Sequence, residues 1–480
     1  MQVFNPYLPS YEYIPDAEPH IFDGRVYIYG SHDKFNGKSF CLNDYVSYSA
    51  SIDNLKEWRY EGIIYKKSQD PRKNKGIINS MYAPDVVKGK DNRYYLYYFI
   101  GFRGIISCAV SNSPSGKFEY YGDLRYKDGT ILGSKNEPLL FDPGLFRDDD
   151  DKIYIYLGFG IDKKTPLMGK KKPTKMGAFV FELEDDMLTV KGDLEYIGVP
   201  SKCNSMGSSF KDHPFFEASS MRKFNNKYYF IYSSSLGHEL CYGISSNPKG
   251  PFEFGGTLVS NGDIGLFGYT NPKNAGDFTG NTHGSLIKIK DKYYVFYHRQ
   301  TNKHDFSRQA CAEEIKMDEN GYFTQAERTS LSFNGSALYG FGTYEARIAS
   351  SLIKKNGNRF YDIFRFIHFN EPHFTQTGKD RESDGDQYIK DISDGTIIGF
   401  KYFDLSKTKE ISMLVKGKAK GRFLISLEKD SEPITIIDIN KSLEYVSFSN
   451  KIKVSNDRCA LYFKYQGKGK LDFKEFTLIE

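Results

Sequence analysis

The chain has one tryptophan in 480 residues, and no run nears the about eighteen apolar residues that span a bilayer as a helix. Its opening, Met1 to Tyr7, lacks the basic start and apolar stretch of a secretory signal. The expectation is a cytoplasmic protein with no membrane partner. The six cysteines, at 41, 108, 203, 241, 311 and 459, form no Cys-x-x-Cys pair. That argues against zinc ribbons and a disulfide framework, and for reduced thiols. The net charge of +5, from 66 basic and 61 acidic residues, lacks the strongly basic balance expected of a nucleic-acid partner. Lysines cluster over 163–175, but Pro166, Gly169 and Pro173 interrupt them; this stretch reads as a solvated loop insertion. Helical periodicity over ten or more residues is nowhere clear.

What the chain has in excess is phenol and phenyl rings. Tyr (37) and Phe (38) bring the aromatic fraction to 16%. Both favour strands, and tyrosine also lines sites for flat, polar ligands such as sugars. The length calls for two or three domains.

One pattern recurs: a short apolar strand, a turn of Asp, Asn or Gly, then an aromatic strand. The copies are 19–29, 85–99, 144–156, 218–232 and 284–297, each with the signature of a β-hairpin. A later segment repeats too, 111–120 matching 245–254. Copies about 60 to 75 residues apart leave room for a four-stranded sheet each. Five such units closing in a ring account for the spacing and leave few open edges. The expected fold is therefore all-β: a five-bladed β-propeller over residues 1–320, followed by a second domain over 321–480. The pattern stops near residue 320, with a soft boundary between about 316 and 345. Alternating runs at 411–415, 423–427 and 458–465 suggest that the second domain is a β-sandwich.

About nine to eleven residues upstream of each aromatic strand stand Asp16, Asp85, Asp142, Glu217 and His283. In a propeller the first strand of every blade runs beside the axis, so these positions converge on one funnel. Each alone is also explained as a turn former, a surface carboxylate or a buried histidine. Together they suggest coupled carboxylates, at least one with a raised pKa, as glycosidic bond cleavage requires. On residues alone, a non-catalytic sugar-binding propeller and a metal-binding hub stay open.

At these residues the sequence resembles glycoside hydrolase family 43. The similar stretches are 15–22 with Tyr29 to Asp33, 83–86, 141–146, 216–219, and 283–286 followed by 297–299. The resemblance implies a five-bladed propeller and an inverting mechanism. Asp16 matches the general base, Glu217 the general acid, and Asp142 the carboxylate that orients the acid and tunes its pKa. Asp85 matches a structural position. His32, Tyr82 and Arg299 match substrate-binding positions; Arg299 is similar to an arginine that touches substrate or a catalytic carboxylate. His283 looks like the central histidine near which a structural calcium is sometimes bound; no cofactor is otherwise required.

The stretches 342–349, 395–400 and 461–467 resemble the carbohydrate-binding-module-like sandwich of one branch of the family. In that branch the usual activities are β-xylosidase and α-L-arabinofuranosidase, so plant cell-wall oligosaccharides are the expected partners. An endo-acting arabinanase-type hydrolase is the alternative. The Trp-Met-Asn-Asp-Pro-Asn signature of related fructan-active families is missing.

Overall fold

The computed structural model describes residues 2–72, 80–101, 104–134, 137–162, 168, 171–361, 370–382 and 385–480. Among them there is no α-helix. Much of the lysine-rich stretch 163–175 lies outside the described residues.

Nineteen strands form five successive antiparallel sheets. The first holds β1 (Glu18–Phe22), β2 (Arg25–Tyr29), β3 (Tyr45–Ser51) and β4 (Asn54–Tyr65). The second holds β5 (Met81–Lys88), β6 (Tyr94–Ile100), β7 (Ile106–Ser111) and β8 (Glu119–Asp123). The third is β9 (Gly144–Arg147), β10 (Ile153–Leu157), β11 (Gly177–Leu183) and β12 (Val190–Pro200). The fourth is β13 (Phe215–Phe224), β14 (Lys227–Ser234), β15 (Glu239–Ser245) and β16 (Glu253–Ser260). The fifth has three strands, β17 (Ser285–Ile289), β18 (Lys292–Gln300) and β19 (Arg308–Ile315).

The hairpins between first and second strands follow from local sequence. In sheet one, Phe22 pairs with Arg25 across Asp23 and Gly24, whose φ values of 48° and 74° suit the tight turn that matches strand twist. Asn225 and Asn226 serve sheet four with φ values of 50° and 62°.

Side chains of adjacent sheets interdigitate, which explains both the aromatic excess and second strands buried on both faces. Tyr27, Tyr29 and Tyr45 of sheet one share a core with Val86, Leu96 and Tyr98 of sheet two. Equivalent clusters join sheets two and three, three and four, and four and five. A fifth joins sheet five back to sheet one, through Phe296 and Ala312 against Ile28 and Val46. The first strands likewise touch in cyclic order: β1 meets β5, β5 meets β9, β9 meets β13, β13 meets β17, and β17 meets β1.

The outer edge of β19 is covered from the other end of the chain. Asn5 Nδ2 donates to the Ala312 carbonyl (2.9 Å), the Ala312 amide donates back to Asn5 Oδ1 (3.0 Å), and the Tyr7 amide donates to the Ala310 carbonyl. The lone tryptophan, Trp58, packs at this closure against Tyr7, with ring centres 4.9 Å apart.

Beyond residue 341 lie two further antiparallel sheets. One contains β20 (Gly342–Glu345), β22 (His373–Gln376), β23 (Gln387–Ile392), β25 (Glu410–Gly417), β28 (Ser442–Lys451) and β30 (Leu471–Ile479). The other contains β21 (Ser351–Ile353), β24 (Ile397–Phe403), β26 (Lys420–Ser426), β27 (Thr435–Ile439) and β29 (Cys459–Lys468). One hydrophobic core serves both, with Phe400 and Phe463 of one sheet meeting Phe473 and Phe476 of the other. The connecting segment still packs on the ring: Phe323 and Ala326 belong to the core between sheets four and five.

Candidate active site

Strand register settles which inner positions are equivalent. The pairs Glu18–Tyr29, Asp85–Tyr97, Gly144–Tyr156, Ser220–Ile231 and Ser285–Phe296 occupy one level. Asp16, Asp142 and His283 each stand two residues before that level. Asp85 does not, because it is itself a member of the level, one layer deeper. There Asp85 Oδ2 accepts the Leu145 amide (2.6 Å) and Oδ1 accepts from Val86 (2.7 Å), while His20 Nε2 lies 2.6 Å from Oδ1. In sheet four the equivalent residue is Ala218, and Glu217 reaches in from one position earlier across an irregularity in the β13–β14 register. The ring expected from spacing therefore holds for three positions, shifts by one at Glu217 and fails at Asp85.

Backbone geometry turns these residues inward. Asp16, Asp142 and Ala218 have φ values of 60°, 47° and 67°. That is the left-handed region, uncommon outside glycine and concentrated at functional sites.

The side chains meet around His283. Its Nδ1 is 3.8 Å from Asp16 Oδ1 and 3.7 Å from Asp142 Oδ2. Burial lowers this imidazole to about 4, against the pull of Asp16, so it stands neutral between the two carboxylates. Asp142 Oδ2 accepts the Ala218 amide at 3.1 Å, which ties it to the residue following Glu217. Asp16 and Asp142 are buried from solvent, while Glu217 is half-buried.

Their electrostatics diverge. Burial alone would raise Asp16, but the Arg308 charge, His298 and His283 outweigh it and hold the carboxyl far below its usual range. Arg308 Nη1 donates to Asp16 Oδ1 at 3.0 Å, and His298 Nδ1 lies 3.3 Å from the same oxygen and accepts the Asp16 amide. Burial pushes Asp142 well up, reinforced by Glu217 and Asp16. Burial and then Asp16 push Glu217 up to about 8, against an Asn281 hydrogen bond and Arg308. Asp142 and Glu217 titrate as a pair, and at neutral pH that pair keeps a proton while Asp16 is ionised. An ionised base facing a protonated acid is the requirement of acetal hydrolysis.

The auxiliary residues fare unevenly. Tyr82 lies by the site, packed edge-on to Phe141 at 5.1 Å and within the fields of Arg308 and Asp142. His32 does not turn toward ligand. Its Nδ1 donates to the Asp44 carbonyl (2.8 Å) and its Nε2 accepts from Arg381 (3.0 Å), so both nitrogens are spent within the protein. Arg299 is also turned away. It donates to the carbonyls of Ala349 and Arg347 at 3.0 and 2.8 Å and stacks over Phe374 at 4.0 Å, all in the C-terminal region.

The arginine on one of the clustered carboxylates, Asp16, is Arg308, missed in the sequence because it sits on the third strand, outside the repeat's first-strand motif. Asn281 and His298 were missed as well; the latter adjoins Arg299, and β18 alternation alone puts neighbours on opposite faces. Beside His283, Asp16 Oδ1 accepts from Arg308 and Asp142 Oδ2 from the Ala218 amide, so water would have to complete the six to eight oxygens of a calcium shell there. Among the described residues the metal-competent clusters lie elsewhere, at Glu18, His20 and Asp85 and at His213, Glu239 and Cys241.

Carboxylates of opposed electrostatics at the hub of a closed ring of sheets fit a glycoside-cleaving enzyme. The chain matches the model for glycosyl hydrolases family 43 over residues 14–323 and belongs to that family. Over 479 residues it is 44% identical to a xylosidase/arabinosidase of Thermoclostridium stercorarium, covering 99% of each chain. Among solved structures it is similar to a family 43 β-xylosidase/α-arabinofuranosidase from a compost metagenome, in complex with xylotriose and calcium-free. The TM-score is 0.51 and the identity 26%, over 66% of this chain and 96% of that one. An arabinoxylan arabinofuranohydrolase from Bacillus subtilis, in complex with cellotetraose, shares the fold along 99% of this chain and 97% of its own, with a TM-score of 0.51 at 20% identity.

Proposed function

We propose that this glycoside hydrolase releases xylose and arabinofuranose from the ends of xylan- and arabinoxylan-derived oligosaccharides by single displacement with inversion. The observation that carries the reading is the split between an arginine-held Asp16 and a proton-retaining Asp142–Glu217 pair on one neutral histidine. The full-length similarity to a xylosidase/arabinosidase supports the sugar class.

In this reading Asp16 takes a proton from water as the water oxygen bonds to the anomeric carbon. Glu217 gives its proton to the departing glycosidic oxygen as that C–O bond breaks. Asp142 holds the Glu217 segment through the Ala218 amide, while burial and the Asp16 charge keep the acid protonated. Water is the nucleophile, so the reaction calls for no cofactor. The cyclic contacts of the first strands support a five-bladed propeller for residues 1–320, and the shared core of the last two sheets supports a β-sandwich for 321–480.

The test is NMR of the first-formed product from aryl β-D-xyloside and aryl α-L-arabinofuranoside. Both should be cut, giving the inverted anomer and no transfer to added alcohol. Retained configuration or a trapped glycosyl-enzyme would overturn Asp16 as base.

A further inference from the structure

The grip of Arg308 on Asp16 raises the question of what holds Arg308. Its Nη1 alone serves the base. Its Nε and Nη2 donate to the two oxygens of Asp33, at 2.8 and 3.0 Å, and its backbone amide donates to Asp33 Oδ2 at 3.0 Å. Asp33 is wholly buried, and its Oδ1 also accepts the Cys41 amide at 2.9 Å. A two-point contact fixes the plane of a guanidinium as well as its place. The direction of Nη1, and so the place of the base carboxylate, is set from the far edge by Asp33.

The loop carrying Asp33 is held in turn from the C-terminal region. Asp380 Oδ1 accepts the Phe35 amide at 2.6 Å, and Oδ2 accepts from Asn43 Nδ2 at 3.0 Å. The same Asn43 nitrogen donates to the Asp33 carbonyl at 3.0 Å. A continuous chain of bonds thus runs from Asp380 through Asn43 and Asp33 to Arg308 and the base.

We propose that Asp33 is a positioning residue for hydrolysis, acting on Asp16 through Arg308, and that Asp380 anchors it from the C-terminal region. This rests on the proposed role of Asp16 as base. Small displacements of a reacting group are costly, on the order of 100-fold for about 1 Å. Asp33→Asn keeps the shape and breaks the two-point grip. It should lower kcat about 10- to 100-fold on aryl xyloside while KM stays within about threefold, the mark of an interaction used in the transition state. Asp380→Ala, a milder change at a half-buried site, should lower kcat about 3- to 10-fold in the same way.

The deciding measurement is a double-mutant cycle with external azide. Asp16→Ala should form glycosyl azide, because azide needs no base. Adding Asp33→Asn or Asp380→Ala to that background should leave the azide-supported rate unchanged within about twofold. A loss there as large as in the enzyme that retains Asp16 would show that Asp33 merely supports the fold, and would overturn the proposal. An effect confined to KM would overturn it as well. Failure of azide to rescue Asp16→Ala with Asp33 intact would instead count against Asp16 as the base.

Discussion

A carboxylate's protonation here is decided by its nearest charged neighbour: Asp16 and Asp142 are alike buried, yet they shift in opposite directions. Arg308 separates Asp16 from the other two. Arg308→Met should therefore remove the largest charge that opposes burial at Asp16, leaving only His298 and His283 against it. The acidic limb of the kcat/KM profile should move up toward neutral pH, with a large fall in kcat; an unmoved limb would show that Arg308 does not set the base. At the other limb Glu217 must hold its proton, so activity should decline as pH rises through about 8, and a decline beginning near ordinary carboxylate pH would contradict the raised acid. Glu217→Ala should cost natural oligosaccharides about 100- to 10,000-fold and activated aryl glycosides less, since a good leaving group needs no proton. Equal losses on both, measured as kcat/KM, would point to a binding role.

Strand register is what the sequence conveyed best and where it fell short. The hairpin repeat placed Asp16, Asp142 and His283 correctly, because turn and aromatic strand fix a count of residues back to the axis. It could not see the irregularity in β13 that makes Ala218, and not Glu217, the matching residue. Nor could it see that Asp85 pairs with Tyr97 and so lies one layer down. Both depend on bulges, which shift a count without any mark in composition. Arg308 was hidden for another reason: the third strand carries no shared motif, and its partner Asp33 is 275 residues away. The edge segment on β19 offers a test at this scale. Tyr7 is buried against Trp58, Phe296 and Phe333; Tyr7→Ala should cost about 3–5 kcal/mol and alter Trp58 fluorescence. An unchanged melting temperature would mean that the edge is not secured there.

Over the whole molecule, the last two sheets are bonded into the ring. Arg299 of the fifth sheet donates to Ala349 and Arg347 as well as to its neighbour Gln309, and Glu12, ahead of β1, meets Arg381 at 2.7 Å. Ending the chain near residue 335 would take Ala349, Arg347 and Phe374 from Arg299, leave it the Gln309 bond alone, and bare the surface beneath. Such a truncation should lower both soluble yield and melting temperature, and a shortened protein with the full-length melting temperature would show the two parts to be independent.

The pairing of Asn5 with Ala312, 307 residues apart, also has a meaning in time. At about 5–20 residues per second of synthesis, the N-terminal segment emerges roughly 15 to 60 s before the strand it must join. During that wait the nascent chain can stack sheets one to four but has nothing to lock against. Closing the ring is therefore a clasp that can fasten only once its fifth sheet has been translated.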